Sequence, residues 1–213
     1  MSKLYNTILF ILKGSNVTLS LFLIVLIISI PLAIVFSLIR MSKNKVCSFI
    51  IGVYIWIFRG TPLLIQLFFI YFGMPYLGLK ISRFNAAVIT FTLNYSAYFT
   101  EIFRYGIQSI DKGQYEASKA LGMDNYQMMK RVIIPQVVKR VIPATCNEVI
   151  SLIKDTSLVA IIGMEEILRA SKEIMTRDFT LVPFIICGII YLIFGAILVM
   201  LFKRLEIKYS YYE

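Results

Sequence analysis

Histidine is absent from this chain, and cysteine is scarce. Without histidine, the chain has no His-dependent catalytic triad, no His-ligated metal centre and no His-based pH switch. Cys47, Cys146 and Cys187 stand far apart in apolar surroundings and form no CxxC pair, so neither a disulfide framework nor a metal site is predicted. A glycine-rich phosphate loop of the Walker A type is also missing, so the chain is not expected to hydrolyse nucleotides by itself.

Charged residues make up only 16% of the chain, while 59% of its residues are hydrophobic. This balance predicts an all-α integral membrane protein, a single transmembrane domain over residues 1–213. A spanning helix needs about 20 mostly apolar residues. Five stretches of the sequence meet or approach that length, at residues 17–39, 49–71, 85–107, 141–162 and 181–202.

The formal charge of +10 comes from Lys and Arg residues in the connections between these stretches. Alternate connections carry the excess of positive charge, which predicts that the N-terminus lies outside and the C-terminus lies in the cytoplasm. The connection at residues 109–140, called the connector below, is then cytoplasmic, and a helical pattern at residues 164–175 faces outward. A charge distributed in this way indicates topology and contact with lipid, not a nucleic-acid interface.

The connector carries its own helix signals, within the stretch EASKALGMDNYQMMKRVIIP at residues 116–135. Asp111 with Gln114 and Asp124 with Gln127 are each spaced as a helix start, and Gly122 is placed to end the first helix in a left-handed conformation. The sequence therefore predicts two short helices that meet at Gly122. A simple amphipathic hairpin on the membrane surface is the alternative.

The second of these helices has an apolar face formed by Met128, Met129, Val132 and Ile133. Pro135 follows it and is expected to break or kink the helix, because proline lacks the N–H group that the helical ladder needs.

This stretch resembles the cytoplasmic loop of the membrane subunits of bacterial ATP-binding-cassette (ABC) importers, which carries E-A-A, three residues, G, nine residues and I-x-L-P. The matching positions here are Glu116, Ala117, Ser118, Gly122, Val132, Ile134 and Pro135. Ser118 replaces the second alanine, and Val132 and Ile134 replace the usual isoleucine and leucine.

Three further stretches resemble the polar amino-acid branch of that family: RGTPLL at 59–64, NYSAYFTEIFRY at 94–105 and KDTSLVAII at 154–162. The resemblance implies a type I importer (MetI-like) fold of five transmembrane helices in the bacterial inner membrane. It also implies a second permease subunit, either a copy or a sister chain, cytoplasmic ATPase subunits that bind ATP and Mg, and an external amino-acid-binding protein. No cofactor or metal is expected in this chain.

The resemblance further implies that the connector couples the spans to the ATPase. Glu116 is the charged residue expected to contact the ATPase. The small residues Ala117, Ser118 and Ala120 are expected to let this helix fit into a cleft of the ATPase, and Gly122 to set the angle between the two short helices. The residues assigned to this coupling are Glu116, Ala117, Ser118, Ala120, Leu121 and Gly122.

The fourth span contains far more polar residues than a lipid-facing helix tolerates. Glu148 and Asp155 are seven positions apart and share one helical face, with Ser151 between them. Two carboxylates on one stripe suit a cationic amino acid. Pairing of these carboxylates with Lys154 and Arg59, without any ligand, is the alternative, and in a mixed arrangement Arg59 binds the α-carboxylate of the substrate while Glu148 binds its side chain.

The second span is interrupted by Gly60, Thr61 and Pro62. Such a break frees backbone groups, which is tolerated at membrane depth where protein or a watery cavity receives them, and broken helices often occur at transport sites. A plain proline kink is the alternative.

In the third span, Asn94, Tyr98 and Glu101 recur on one helical face and are candidates to line the same path. Asn94 and Tyr98 suit interhelical hydrogen bonds equally well. Glu101 is expected to pair with Arg104, three residues away.

These observations predict a permease subunit that forms a path for a polar, most simply a basic, amino acid. Glutamine or glutamate is the alternative substrate, and an ion-driven transporter or channel is a more remote one. The predicted substrate-binding residues are Arg59, Thr61, Asn94, Tyr98, Glu148, Ser151 and Asp155.

Overall fold

The computed structural model describes residues 2–209, with side chains from residue 4 onward, and this part of the chain is helical without β-strands. Its α-helices are α1 (Ser2–Lys13), α2 (Ser15–Arg40), α3 (Lys45–Gly60), α4 (Leu63–Phe68), α5 (Arg83–Gln108), α6 (Lys112–Ala120), α7 (Asn125–Met128), α8 (Ile134–Asp155), α9 (Ile167–Asp178) and α10 (Val182–Tyr209). Phe69–Gly73 and Met129–Ile133 form π-helical turns, and Met74–Leu77 and Thr156–Ala160 form 3-10 turns.

The first and last predicted spans are the most apolar helices. The stretch Leu4–Arg40 has 37 residues and Val182–Tyr209 has 28, and both are long and apolar enough to cross a membrane. Only 11% of the most apolar stretch of α10 is buried within the protein, which leaves an apolar surface for lipid. The first helix begins well before the predicted residue 17, because α1 precedes α2 with only Gly14 between them.

The second predicted span is a pair of helices bent sharply against each other. Lys45–Gly60 and Leu63–Leu77 are together long and apolar enough to cross a membrane, but their axes differ by 106°. Residues 49–71 are therefore not one straight crossing. The bend lies at Thr61 and Pro62, where the sequence predicts a break.

The polar third and fourth spans, α5 and α8, lie inside the bundle. The main core joins α2, α5 and α8 through residues such as Leu21, Phe91, Phe99, Val149 and Leu152. The polar residues Asn94, Thr100 and Glu101 of α5 are buried, so its polar face is directed to the interior.

Of the two outcomes predicted for Pro135, a break or a kink, the break does not occur. Helical structure is continuous from Asn125 to Asp155, and the π-helical turn Met129–Ile133 lies immediately before Ile134 and Pro135. A proline ring crowds the carbonyl group four residues earlier in a regular α-helix, and a wider turn at that point relieves the conflict. The fourth span thus begins at Ile134, inside the predicted connector.

Candidate functional site

The end of α3 is held by side chains of α4 and α5. The carbonyl of Phe58 accepts hydrogen bonds from Nδ2 of Asn94 and Nε2 of Gln66, each at 2.9 Å. Nδ2 of Asn94 also donates to Oε1 of Gln66 at 3.0 Å, and the Thr61 hydroxyl donates to the carbonyl of Ile57 at 2.8 Å. The carbonyl groups of Ile57 and Phe58, which the break frees, are therefore satisfied by protein, as an irregular helix at membrane depth requires.

A cavity of about 570 Å³, called the central cavity below, opens beside this break. The cavity lies between the break, α5 and α8. All the residues predicted to bind substrate line it: Arg59, Thr61, Asn94, Tyr98, Glu148, Ser151 and Asp155. The structure thus brings together side chains from three separate segments of the chain.

The two carboxylates of α8 lie half-buried in the wall of this cavity. Asp155 Oδ2 accepts a hydrogen bond of 2.7 Å from the hydroxyl of Tyr95. Neither Glu148 nor Asp155 forms an ion pair with a Lys or Arg in the part of the chain that the structure describes. Lys154 is exposed, and no ion pair within 4.0 Å of the kind considered as an alternative is present, although Arg59 lies close enough to Glu148, and Lys154 to Asp155, to interact electrostatically.

Arg59 instead turns toward α5. Its Nη1 lies 3.9 Å from Oε2 of Glu101, and its guanidinium carbon lies 5.1 Å from the ring centre of Tyr98. Glu101 forms the predicted ion pair with Arg104, whose Nε and Nη2 donate to the carboxylate at 2.9 and 2.7 Å. Charge-assisted bidentate pairs of this kind are strong. Arg104 is thus the main partner of Glu101, and Arg59 is a secondary one.

Two cavity-related residues, Gln66 and Tyr95, are not among those predicted from sequence. Gln66 is the one polar residue of the helix LLIQLF, directly after the break, and that isolated polarity is the signal that points to it. Tyr95 adjoins Asn94 and is 2% exposed, but nothing local distinguishes it from the other tyrosines. Its contact to Asp155 arises only when α5 and α8 pack.

In the connector, the two predicted helix starts and the Gly122 turn are present. Gly122 has φ of +75°, and its N–H donates to the carbonyl of Lys119 at 2.9 Å. Asp124 and Gln127 form a complete capping box. Asp111 also caps α6, but its side chain accepts from the N–H of Gly113 at 2.6 Å and does not pair with Gln114.

The surface of α6 and its turn is exposed at nearly every residue assigned to coupling. Glu116, Ala117, Ala120, Leu121 and Gly122 are exposed, and Leu121 is 76% exposed although it is apolar. Ser118 differs, since it is 3% exposed and its hydroxyl donates to the carbonyl of Gln114 at 2.7 Å.

Under this surface, a small apolar cluster joins the connector to the spans. Ile110, Met128, Ile133 and Val137 are its buried members, and the rest of the predicted apolar face packs against them. This cluster packs the connector directly against the start of α8.

Helices α5 and α8 approach closely at the connector end. A Cβ atom placed on Gly106 would lie only 2.2 Å from Cγ1 of Val141, so glycine permits this contact. The guanidinium of Arg140 donates to the carbonyl of Ser109, which closes the base of the connector.

The chain is similar to known transport proteins over nearly its whole length. Residues 29–211 match the family described as "Binding-protein-dependent transport system inner membrane component". The arginine transport system permease protein ArtQ of Bacillus subtilis is 41% identical over 201 residues, which cover 93% of this chain and 92% of ArtQ. The putative glutamine transport system permease protein GlnP of Rickettsia typhi is 36% identical over 208 residues, 97% of this chain and 95% of GlnP.

A solved structure shows the same fold. It is described as an amino acid ABC transporter with histidines, and it matches with a TM-score of 0.88, 35% identity and coverage of 97% of both chains. The predicted all-α, MetI-like fold of type I ABC importers is thus confirmed. The chain belongs to the family of binding-protein-dependent transport system inner membrane components, as a permease of the amino-acid ABC transporter kind.

Proposed function

We propose that this permease carries a basic amino acid, arginine, lysine or histidine, through the central cavity. The observation that carries the proposal is the pair of carboxylates, Glu148 and Asp155, which line the cavity without a Lys or Arg partner among the described residues. A half-buried carboxylate without an ion-pair partner is partly desolvated, and a cationic ligand supplies the missing counter-charge. The size of the cavity, about 570 Å³, lies within the usual range for small-molecule sites, about 300–1,000 Å³.

Opposite charges at the two sides of the cavity suit a zwitterion. Arg59 at the break provides the cation for an α-carboxylate, and Glu148 and Asp155 provide the anions for a side-chain ammonium or guanidinium group. Ser151 and Thr61 also line the cavity and carry hydroxyl groups. The similarity to an arginine permease supports the same assignment.

Glutamine or glutamate is the alternative substrate, and the similarity to a putative glutamine permease favours it. A neutral or acidic side chain would give Glu148 and Asp155 no cationic partner within ion-pair distance, so the site geometry supports the basic substrate better.

The exposed face of α6 is proposed to dock on a cytoplasmic ATPase, with Glu116, Ala117, Ala120 and Leu121 in contact and Gly122 fixing the turn. Ser118 positions the helix from inside. In this arrangement ATP and Mg are bound by the ATPase, and this chain neither hydrolyses ATP nor carries a cofactor. Packed helices shift as units, so a movement of the ATPase passes through the connector to α8.

The complete assembly is proposed to contain a second permease subunit, either a copy or a sister chain, and an extracytoplasmic amino-acid-binding protein. The N-terminus lies outside and the C-terminus in the cytoplasm, as the distribution of Lys and Arg predicts.

The test is co-purification of the chain with a cassette ATPase and the binding protein, followed by ATP hydrolysis in lipid vesicles. Arginine, lysine, histidine, glutamine and glutamate are compared as stimulants. We expect basic amino acids to stimulate hydrolysis, and Glu148→Gln and Asp155→Asn to weaken their apparent affinity by about tenfold or more, since hydrogen bonds to charged groups contribute about 1.5–3 kcal/mol.

Glu165→Gln is the matched control, because Glu165 is an exposed carboxylate that does not line the central cavity. Full stimulation by basic amino acids in both cavity variants would show that the carboxylates are structural. Stimulation by glutamine alone would move the assignment to the alternative substrate.

A further inference from the structure

A second cavity lies between the central cavity and the connector. This connector-side cavity has a volume of about 340 Å³ and lies between the connector ends of α5 and α8, where Tyr105, Arg140 and Ala144 contribute to its wall. Arg59, Tyr98 and Glu148 line both cavities. These residues therefore form the partition between them.

Arg59 is held only loosely in this partition. Its side chain is 41% exposed, and its closest ionic contact, to Glu101, is 3.9 Å long. Within residues 2–209, its guanidinium donates no side-chain hydrogen bond to a protein group. The residue also occupies the last turn of α3, next to Gly60 and the break, where the backbone is not fixed by a following helical turn.

Glu101 does not depend on Arg59. Arg104 holds both carboxylate oxygens of Glu101 at 2.7 and 2.9 Å and also donates to Oε1 of Gln108 at 2.8 Å. Departure of Arg59 would therefore leave no unpaired buried carboxylate, which is the usual cost of breaking a buried ion pair.

We propose that Arg59 is a charged gate between the two cavities. Held near Glu101 and the ring of Tyr98, its guanidinium closes the passage and repels a cationic side chain. The α-carboxylate of an amino acid in the central cavity draws Arg59 away from Glu101 and opens the passage. Glu148 faces both cavities, so a basic side chain keeps an anionic partner on either side. Opening of the passage by the α-carboxylate of the substrate rests on the function proposed above. The closed state rests only on the position of Arg59 between the two cavities.

The closed state is tested by cysteine accessibility in the assembled transporter. Cys47, Cys146 and Cys187 are replaced by serine, and Ala144→Cys places one thiol in the connector-side cavity. A positively charged, membrane-impermeant methanethiosulfonate is added from the side opposite the connector, without amino acid. We expect slow labelling with Arg59 present and labelling about tenfold faster in Arg59→Ala, which corresponds to about 1.4 kcal/mol of barrier. Arg59→Lys keeps the charge and should remain slow.

Arg104→Ala is the matched control, because it removes a neighbouring guanidinium that lines neither cavity. The labelling rate of Arg104→Ala should not rise, because Arg59 is then the remaining cationic partner of Glu101 and stays in the closed position. Labelling of each variant from the connector side checks that the protein is folded. Three results would contradict the gate. The thiol could be labelled fast with Arg59 present, or at the same rate with and without Arg59. Alternatively, Arg104→Ala could accelerate labelling as much as Arg59→Ala does.

L-Arginine and L-glutamine are then added separately to the protein with Arg59 intact. Acceleration by arginine supports both the gate and the proposed substrate. Acceleration by glutamine alone supports the gate and contradicts the proposed substrate. Acceleration by neither compound, in a protein where Arg59→Ala labels fast, contradicts opening by the cargo.

Discussion

The connector and the central cavity are both polar, but different kinds of contact hold them. In the connector, the hydrogen bonds are local. The side chains of Asp111 and Asp124 accept from the N–H groups of Gly113 and Gln127, and the N–H of Gly122 donates to the carbonyl of Lys119. In the cavity, Tyr95 reaches Asp155 across 60 positions and Asn94 reaches Phe58 across 36. A change in the connector should therefore alter one turn, whereas a change in the cavity wall should disturb several helices.

Gly122→Val should have the largest effect on transport. A β-branched residue at φ of +75° costs about 1–2 kcal/mol, and the turn would move the exposed face of α6 away from its docking position. A Cβ atom placed on Gly122 would have no neighbour within 4 Å among the described residues, so the strain is confined to the backbone. We expect ATP-driven uptake in vesicles to be lost while thermal unfolding changes little.

Gly122→Asn is the control for this variant, because asparagine tolerates the left-handed conformation better than other side chains. It should retain most of the uptake. Normal uptake by Gly122→Val would show that the turn does not transmit coupling.

Asn94→Leu should have the next largest effect, on stability. It removes the donor to Gln66 Oε1 and one of the two donors to the carbonyl of Phe58, and an unsatisfied buried polar group costs about 1–3 kcal/mol. Thermal unfolding in detergent should show the loss. Asn85→Leu, at an exposed position of the same helix, is the control. Equal stability of the two variants would mean that the break does not need this amide.

Tyr95→Phe should have a smaller effect, in the cavity. It removes the 2.7 Å hydrogen bond to Asp155 without changing the ring. A hydrogen bond to a charged group contributes about 1.5–3 kcal/mol, but Asp155 lies in a cavity where other partners can partly replace it. A double-mutant cycle with Asp155→Asn, measured by the affinity for arginine, should give a coupling energy of about 1 kcal/mol. If the effects of the two substitutions on arginine affinity were strictly additive, the hydrogen bond between Tyr95 and Asp155 would not contribute to binding.

Asp124→Ala should have the smallest effect and the most local one. Loss of an N-cap costs about 0.5–2 kcal/mol. Because the capping box spans only Asp124 and Gln127, hydrogen exchange should increase in α7 and not around the central cavity. Asp124→Ser, which keeps a capping oxygen, should behave like the original protein. Increased exchange in α5 would show that the two regions are less separate than their contacts indicate.

The same contrast explains which features can be predicted from sequence. The Gly122 turn, both helix starts and the break at Thr61 depend on residues next to one another, and the structure contains all of them. Among the predicted spans, the first and the last are helices long and apolar enough to cross a membrane, whereas the second is bent by 106°.

Features that depend on packing are not predictable in the same way. The hydrogen bond of Tyr95 to Asp155 and the contact of Arg59 with Glu101 join helices that approach only in the folded bundle. The uninterrupted helix across Pro135 is equally hidden, because the proline signals a break and the π-helical turn that accommodates it has no simple sequence signature.

That π-helical turn, Met129–Ile133, determines the direction, around the helix axis, in which the side chains of α8 point. Such a turn is equivalent to one extra residue in an α-helix, and each residue rotates an α-helix by about 100°. If the turn reverted to regular α-helix by deletion of one residue, Glu148, Ser151 and Asp155 would point about 100° away from their present bearing, out of the central cavity. A single irregular turn near the connector thus determines the direction in which charges far along the same helix are presented.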